Sequence, residues 1–60
     1  MKWSEVKKKA EAKGWYLLRS GSSHDIYAHP DKDYVIQIER HWSQEVRNGL
    51  FYKLKKQIGF

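Results

Sequence analysis

Three short runs rich in aromatic, aliphatic and β-branched residues, Trp15–Arg19, Ile26–Ala28 and Tyr34–Ile38, follow one another with only a few turn-forming residues between them. Runs of this length and composition read as strands. Connections too short for a crossover oblige neighbouring strands to run antiparallel. The first turn is Ser20-Gly21-Ser22-Ser23, in which glycine tolerates φ > 0 and serine hydroxyls bond to nearby backbone. The second centres on His29-Pro30-Asp31, where proline lacks an amide donor and has no place in a central ladder. The chain is thereby committed to a three-stranded antiparallel meander, and such a sheet needs one face covered.

Both ends of the chain offer a cover. Ser4 is a candidate N-cap, Glu5 sits in a first turn where the helix dipole favours an acid, and Lys13 precedes Gly14. This predicts a helix of about ten residues. Its apolar stripe is thin, formed by Trp3, Val6 and Ala10, while Lys7, Lys8 and Lys9 sweep round the other side. Near the C-terminus, Asn48 is a candidate cap, and Leu50, Phe51, Leu54 and Ile58 recur at helical spacing before Gly59, an αL stop followed by apolar Phe60. The expected order is α-β-β-β-α, an α+β domain over residues 1–60 with two helices on one face of the sheet. Residues 39–47 lack a period and read as a loop, a common home for function.

Composition narrows the chemistry. The absence of cysteine excludes disulfides and thiolate metal sites and fits a reducing, cytoplasmic setting. No apolar run approaches the roughly 20 residues of a spanning helix, so no membrane partner is expected. The net charge of +5 is concentrated at the ends. Lys2, Lys7, Lys8, Lys9 and Lys13 outnumber Glu5 and Glu11, Lys53, Lys55 and Lys56 have no acid among them, and the middle is slightly acidic. Charge alone leaves two readings open: a polyanionic partner, whose phosphates favour basic surfaces, or lysine-rich helix faces that keep a small domain soluble.

His24 lies where the first turn meets the second strand, and an imidazole exchanges protons near neutral pH. RNA brings its own nucleophile in the 2′-hydroxyl. A single placed histidine that deprotonates it, or protonates the leaving 5′-oxygen, contributes roughly 10²- to 10⁴-fold. Backbone N–H groups of Gly21, Ser22 and Ser23 offer a concave nest for a phosphate, and Arg19 offers charge. The residues alone leave this reading beside a plainer one, an exposed histidine at a strand end. His29, next to Pro30, is most simply a turn residue, and His24, Asp25, His29 and Asp31 lack metal-ligand spacing, so no metal site is expected. His41, between Arg40 and Trp42, is open to phosphate binding, acid–base work or capping of the last helix. Trp42 is either core or a stacking platform for a base. Ser22 and Ser23 beside His24 do not make a nucleophile–base pair, because adjacent strand residues point to opposite faces.

Taken together, Ser4-Glu5-Val6, Lys13-Gly14-Trp15, Arg19, Gly21-Ser22-Ser23-His24, Tyr27, His29-Pro30, Arg40-His41, Gly49-Leu50 to Leu54 and Lys56-Gln57-Ile58-Gly59-Phe60 are similar, in order and spacing, to the HicA (YcfA-like) toxin family. These are small messenger-RNA interferases of bacterial toxin–antitoxin systems. The resemblance spans essentially the whole chain. It implies a double-stranded-RNA-binding-domain-like fold, metal-independent cleavage of RNA with no cofactor, a catalytic histidine falling on His24, and a HicB-like antitoxin as protein partner. It further implies that Tyr27, at an aromatic position of the family, points to the helices and leaves His24 on the open face.

The chain departs from the family pattern at three places. Gly-Ser-His has become Gly21-Ser22-Ser23-His24, the proline before the Arg-His pair is Glu39, and the Lys-Pro-Gly-Thr entering the last helix is Arg47-Asn48-Gly49-Leu50. Glu39 adds negative charge near the expected RNA surface. The expectation is an mRNA endoribonuclease with His24 as general acid or base. Arg19, Gly21, Ser22, Ser23, Arg40, His41, Lys7, Lys8, Lys9, Lys53 and Lys56 are its candidate RNA contacts. A non-catalytic RNA-binding module of the same fold, and a small basic protein-interaction subunit, are the alternatives.

Overall fold

The computed structural model describes residues 1–60. The order is α1 (Trp3–Ala12), β1 (Tyr16–Ser20), β2 (His24–Ala28), β3 (Ile36–Glu39) and α2 (Asn48–Ile58). The strands form one antiparallel sheet in the order β1-β2-β3. Both helices lie on the same face, because Trp3, Val6 and Ala10 of α1 and Leu54 and Ile58 of α2 share one buried cluster with Tyr27, Ile36, Ile38, Trp15 and Val46. This is the α+β, double-stranded-RNA-binding-domain-like architecture expected from the sequence. Each large apolar side chain in that cluster contributes about 1.5–3 kcal/mol by leaving water.

Helix α1 begins earlier than the Ser4 cap predicts, with Lys2 at the N-cap and Ser4 inside the first turn. The reason is tertiary. Trp3 N–H donates to Gln44 O (3.1 Å) and Ser4 N–H to Trp42 O (3.3 Å), so the loop satisfies first-turn donors that a hydroxyl would otherwise serve. Asn48 is likewise inside α2, with Arg47 as the N-cap. The other end of α1 closes as the Lys13-Gly14 pair suggests. Gly14 adopts φ +94°, its N–H donates to Glu11 O, and Trp15 N–H donates to Ala10 O, the paired bonds of a Schellman motif. Gly59 closes α2 at φ +96° with its N–H on Lys55 O.

That closure removes Trp15 from the first strand, because its amide is already committed to α1. The indole is buried instead, with Nε1 donating to Ile58 O (3.4 Å) and the ring edge-on to His29 at 5.3 Å. Tyr34 and Val35 also precede their strand; Tyr34 donates through its hydroxyl to Gln57 O (2.9 Å). Strand β1 is an edge strand, and Tyr16, Leu17 and Leu18 are each about half exposed. The stretch 39–47, expected as a loop, gives up Glu39 to the end of β3 because it pairs with His24, and residues 40–47 form the connection to α2. Val46 is buried, its N–H donates to Met1 O (2.9 Å), Lys2 bridges Glu45, and the Met1 ammonium donates to Glu45 Oε2 (2.7 Å), which holds that carboxyl below the usual carboxylate range.

His29 is structural. Asp31 N–H donates to Nδ1 (3.0 Å), which assigns the proton to Nε2, and Nε2 donates to Lys13 O (2.8 Å). A Cβ built on Gly14 would meet that Nε2 at 3.0 Å. His29→Ala is expected to cost about 1–3 kcal/mol, two net hydrogen bonds, read as a lower urea midpoint with unchanged slope. Burial raises the Tyr27 phenol above its ordinary value, against a lowering by Lys7. Unfolded chains then ionise first as pH rises past about 10, so stability falls across that range. Tyr27→Phe is expected to flatten the decline as pH rises past about 10; an unchanged slope would exclude Tyr27 as its source.

Candidate active site on the open face of the sheet

Which face each side chain takes follows from the pairing. Tyr27 is in the core, so His24 and Ile26, at odd offsets from it, lie on the opposite, open face. Cross-strand partners share a face, so Gln37 opposite Ile26 and Glu39 opposite His24 lie there too. On β1, Leu17 pairs with Tyr27 but Arg19 pairs with Ile26, and the register shifts between them. In an unbroken strand Leu17 and Arg19 would share a face. The extra residue, Leu18, is a bulge that turns Arg19 onto the face of His24.

His24 opens β2 and is half-buried. Its ring lies over Gly21: a Cβ there would stand 3.4 Å from His24 Nε2 and 3.0 Å from the His24 carbonyl oxygen. Glycine therefore leaves room for this close approach and does not serve a left-handed turn, since Gly21 has no positive φ and neither serine does. Gly21 N–H donates to His24 O at 2.7 Å, so of the three amides expected in the turn's nest, those of Ser22 and Ser23 remain for a ligand.

Arg40 N–H donates to Ser23 O (3.1 Å), carrying the β2–β3 pairing one step past Glu39. Its alternation makes His24 and Glu39 a non-hydrogen-bonded pair, the kind whose side chains come closest. Glu39 Oε1 is 3.7 Å from His41 Nε2. Two imidazoles and a carboxylate thus gather at this end of the sheet. His41 does not cap α2, where Arg47 stands. No three His, Asp or Glu side chains converge as metal ligands would.

The arginine side chain follows a different course from its neighbours. Arg40 Nη2 donates to Gly21 O (2.5 Å) and Ser22 O (2.6 Å), and Nη1 is 3.3 Å from Oδ1 of buried Asp25. In the sequence reading Asp25 figures only as a metal-ligand candidate and its burial is missed, although the residue stands two before Tyr27 on the same strand face, where a charge needs a partner. The lysines do not join the site. Lys7, Lys8 and Lys9 belong to α1, Lys53 and Lys56 to α2, and both helices cover the opposite face. Lys7 pairs with Glu11 at 3.4 Å and lies over the half-buried Trp42 ring, and Lys9 lies over Phe60. Lys53 borders a cleft of about 340 Å³ between β3 and α2, with Ile36, Leu50 and Leu54.

A search of curated proteins finds no match to the chain. A family model does match, that of the HicA toxin of bacterial toxin–antitoxin systems, over residues 3–60. Because that match covers the helices, the sheet and the Gly21–His24 turn alike, the chain belongs to the HicA toxin family.

Proposed function

We propose that this toxin is a metal-independent endoribonuclease that cleaves messenger RNA, with His24 as the general acid or base, and that a HicB-like antitoxin covers and restrains it. The observation that carries the reading is the half-buried His24 ring, seated on Gly21 at a turn–strand junction and facing outward beside Glu39 and Arg19. The 2′-oxygen attacks phosphorus as its proton passes to a base, the bond from phosphorus to the 5′-oxygen breaks, and that oxygen takes a proton. The products are a 2′,3′-cyclic phosphate and a free 5′-hydroxyl. His24 serves one of the two proton transfers, and proton transfer by a positioned side chain is worth roughly 10²- to 10⁴-fold.

The free amides of Ser22 and Ser23 and the Arg19 guanidinium offer donors to the phosphate oxygens, where negative charge grows. His41, held near Glu39, brings a second imidazole for the other proton transfer. Lys7, Lys8, Lys9, Lys53 and Lys56 act further away, as sequence-independent contacts to flanking phosphates. No helix is long and apolar enough to cross a membrane, in keeping with a cytoplasmic target.

The purified protein is expected to cut a defined transcript in the presence of EDTA and to leave 2′,3′-cyclic phosphate ends. His24→Ala, folded by circular dichroism, is expected to lose at least about 100-fold in rate. Equal cleavage by the two proteins would remove His24 from the mechanism. Salt-dependent binding with the RNA recovered intact would instead identify a non-catalytic RNA-binding module.

A further inference from the structure

Arg40 stands among the residues expected to touch RNA, yet its guanidinium is already spanning three groups of its own chain. Nη2 donates to the carbonyls of Gly21 and Ser22, and Nη1 faces Asp25 Oδ1 at 3.3 Å. Asp25 is 6% exposed, and Oδ1 has no hydrogen-bond donor in bonding geometry. The ion pair is therefore what balances that buried charge.

The placement explains the arrangement. Along β3, Ile36 and Ile38 face the helices and Glu39 faces outward, so the next residue, Arg40, returns to the helix side. From there it reaches Asp25 and the underside of the turn. His24 rests on the same turn from the open side, its Nε2 within 3.4 Å of where a Gly21 Cβ would be. Gly21 and Ser22 are thus held between Arg40 below and His24 above.

We infer that the Arg40–Asp25 pair is a positioning device: its planar fork fixes the Gly21 and Ser22 carbonyls and so sets where the His24 imidazole and the Ser22 and Ser23 amides stand. The inference rests on the reading of His24 as the proton-transfer group. Arginine suits the task because one planar group presents parallel donors, so two carbonyls and a carboxylate share one cation. Lysine carries the same charge as a point and cannot span them. The neutral serine turn has few constraints of its own, since neither Ser22 nor Ser23 amide is bonded within the chain. A turn loosened by even about 1 Å displaces the imidazole enough to lower the rate by roughly 10²-fold.

The test measures kcat and KM on a defined transcript for the wild type and two variants. Arg40→Lys keeps a cation beside Asp25 and for any phosphate; it is expected to lower kcat by about 10-fold or more with KM within about twofold. The double variant Asp25→Asn/Arg40→Ala removes the fork without stranding a buried carboxylate. It is expected to show the same kcat loss, with partial recovery on adding millimolar guanidinium ion.

Retention of kcat within twofold by both variants would overturn the inference. So would a rise in KM with kcat intact, which would make Arg40 an RNA contact. If the wild type itself cuts no RNA, the endoribonuclease reading fails, and nuclear magnetic resonance of the same variants decides the clamp separately. Faster exchange of the Gly21 amide, with shifted His24 ring protons, supports it; spectra identical to wild type at these positions overturn it.

Discussion

The indole of Trp15 donates through Nε1 to Ile58 at the end of α2, while its backbone N–H closes α1 on Ala10 and its ring meets His29 and Tyr34 of the β2–β3 connection. Two helix C-termini and a long turn therefore meet on one residue. A domain of this size buries only about 60% of its unfolded surface, so each buried contact must serve more than one element. Removing the tryptophan would leave α2 attached mainly through Leu54 and Ile58, and would leave His29 without the ring it packs against.

Because that node anchors both helices to one face of the sheet, the other face is left uncovered. β1 contributes little to the core and lies at an edge, with its apolar residues half exposed. Its value is positional. The bulge at Leu18 delivers Arg19 to the open face, and the short turn after it delivers His24. At the same end, Arg40 bonds the turn's carbonyls from the helix side and pairs with buried Asp25. His24 and the Arg40–Asp25 pair thus meet the same turn from opposite faces of the sheet.

The charge distribution takes on a different meaning once the layers are known. The lysine-rich ends form the helical layer, behind the sheet as seen from His24, whereas the open face mixes Arg19, Glu39 and the two histidines. Part of the lysine charge is also used internally, against Glu11 and over the Trp42 and Phe60 rings. An RNA engaged at His24 would meet the lysines only where its backbone wraps past the rim of the sheet.

Local residue chemistry alone determined the elements and their order. Gly14 and Gly59 mark helix ends because only they enter φ > 0 without strain, short turns force antiparallel strands, and the Val6–Ala10 and Leu54–Ile58 stripes dictate which helix faces are buried. The resemblance to the HicA toxin family, carried by motifs in order along the whole chain, is borne out by the match over residues 3–60, and the Gly21–His24 turn was singled out from its turn chemistry. The tertiary structure decided the rest. Helix α1 starts at Trp3 because carbonyls some forty residues away take its free amides; Gly21 leaves room for the His24 ring; and Arg40 turns to Asp25 because that buried carboxylate requires a cation. Each of these depends on groups brought together across the chain, and periodicity and turn chemistry, which act over a few residues, carry no record of them.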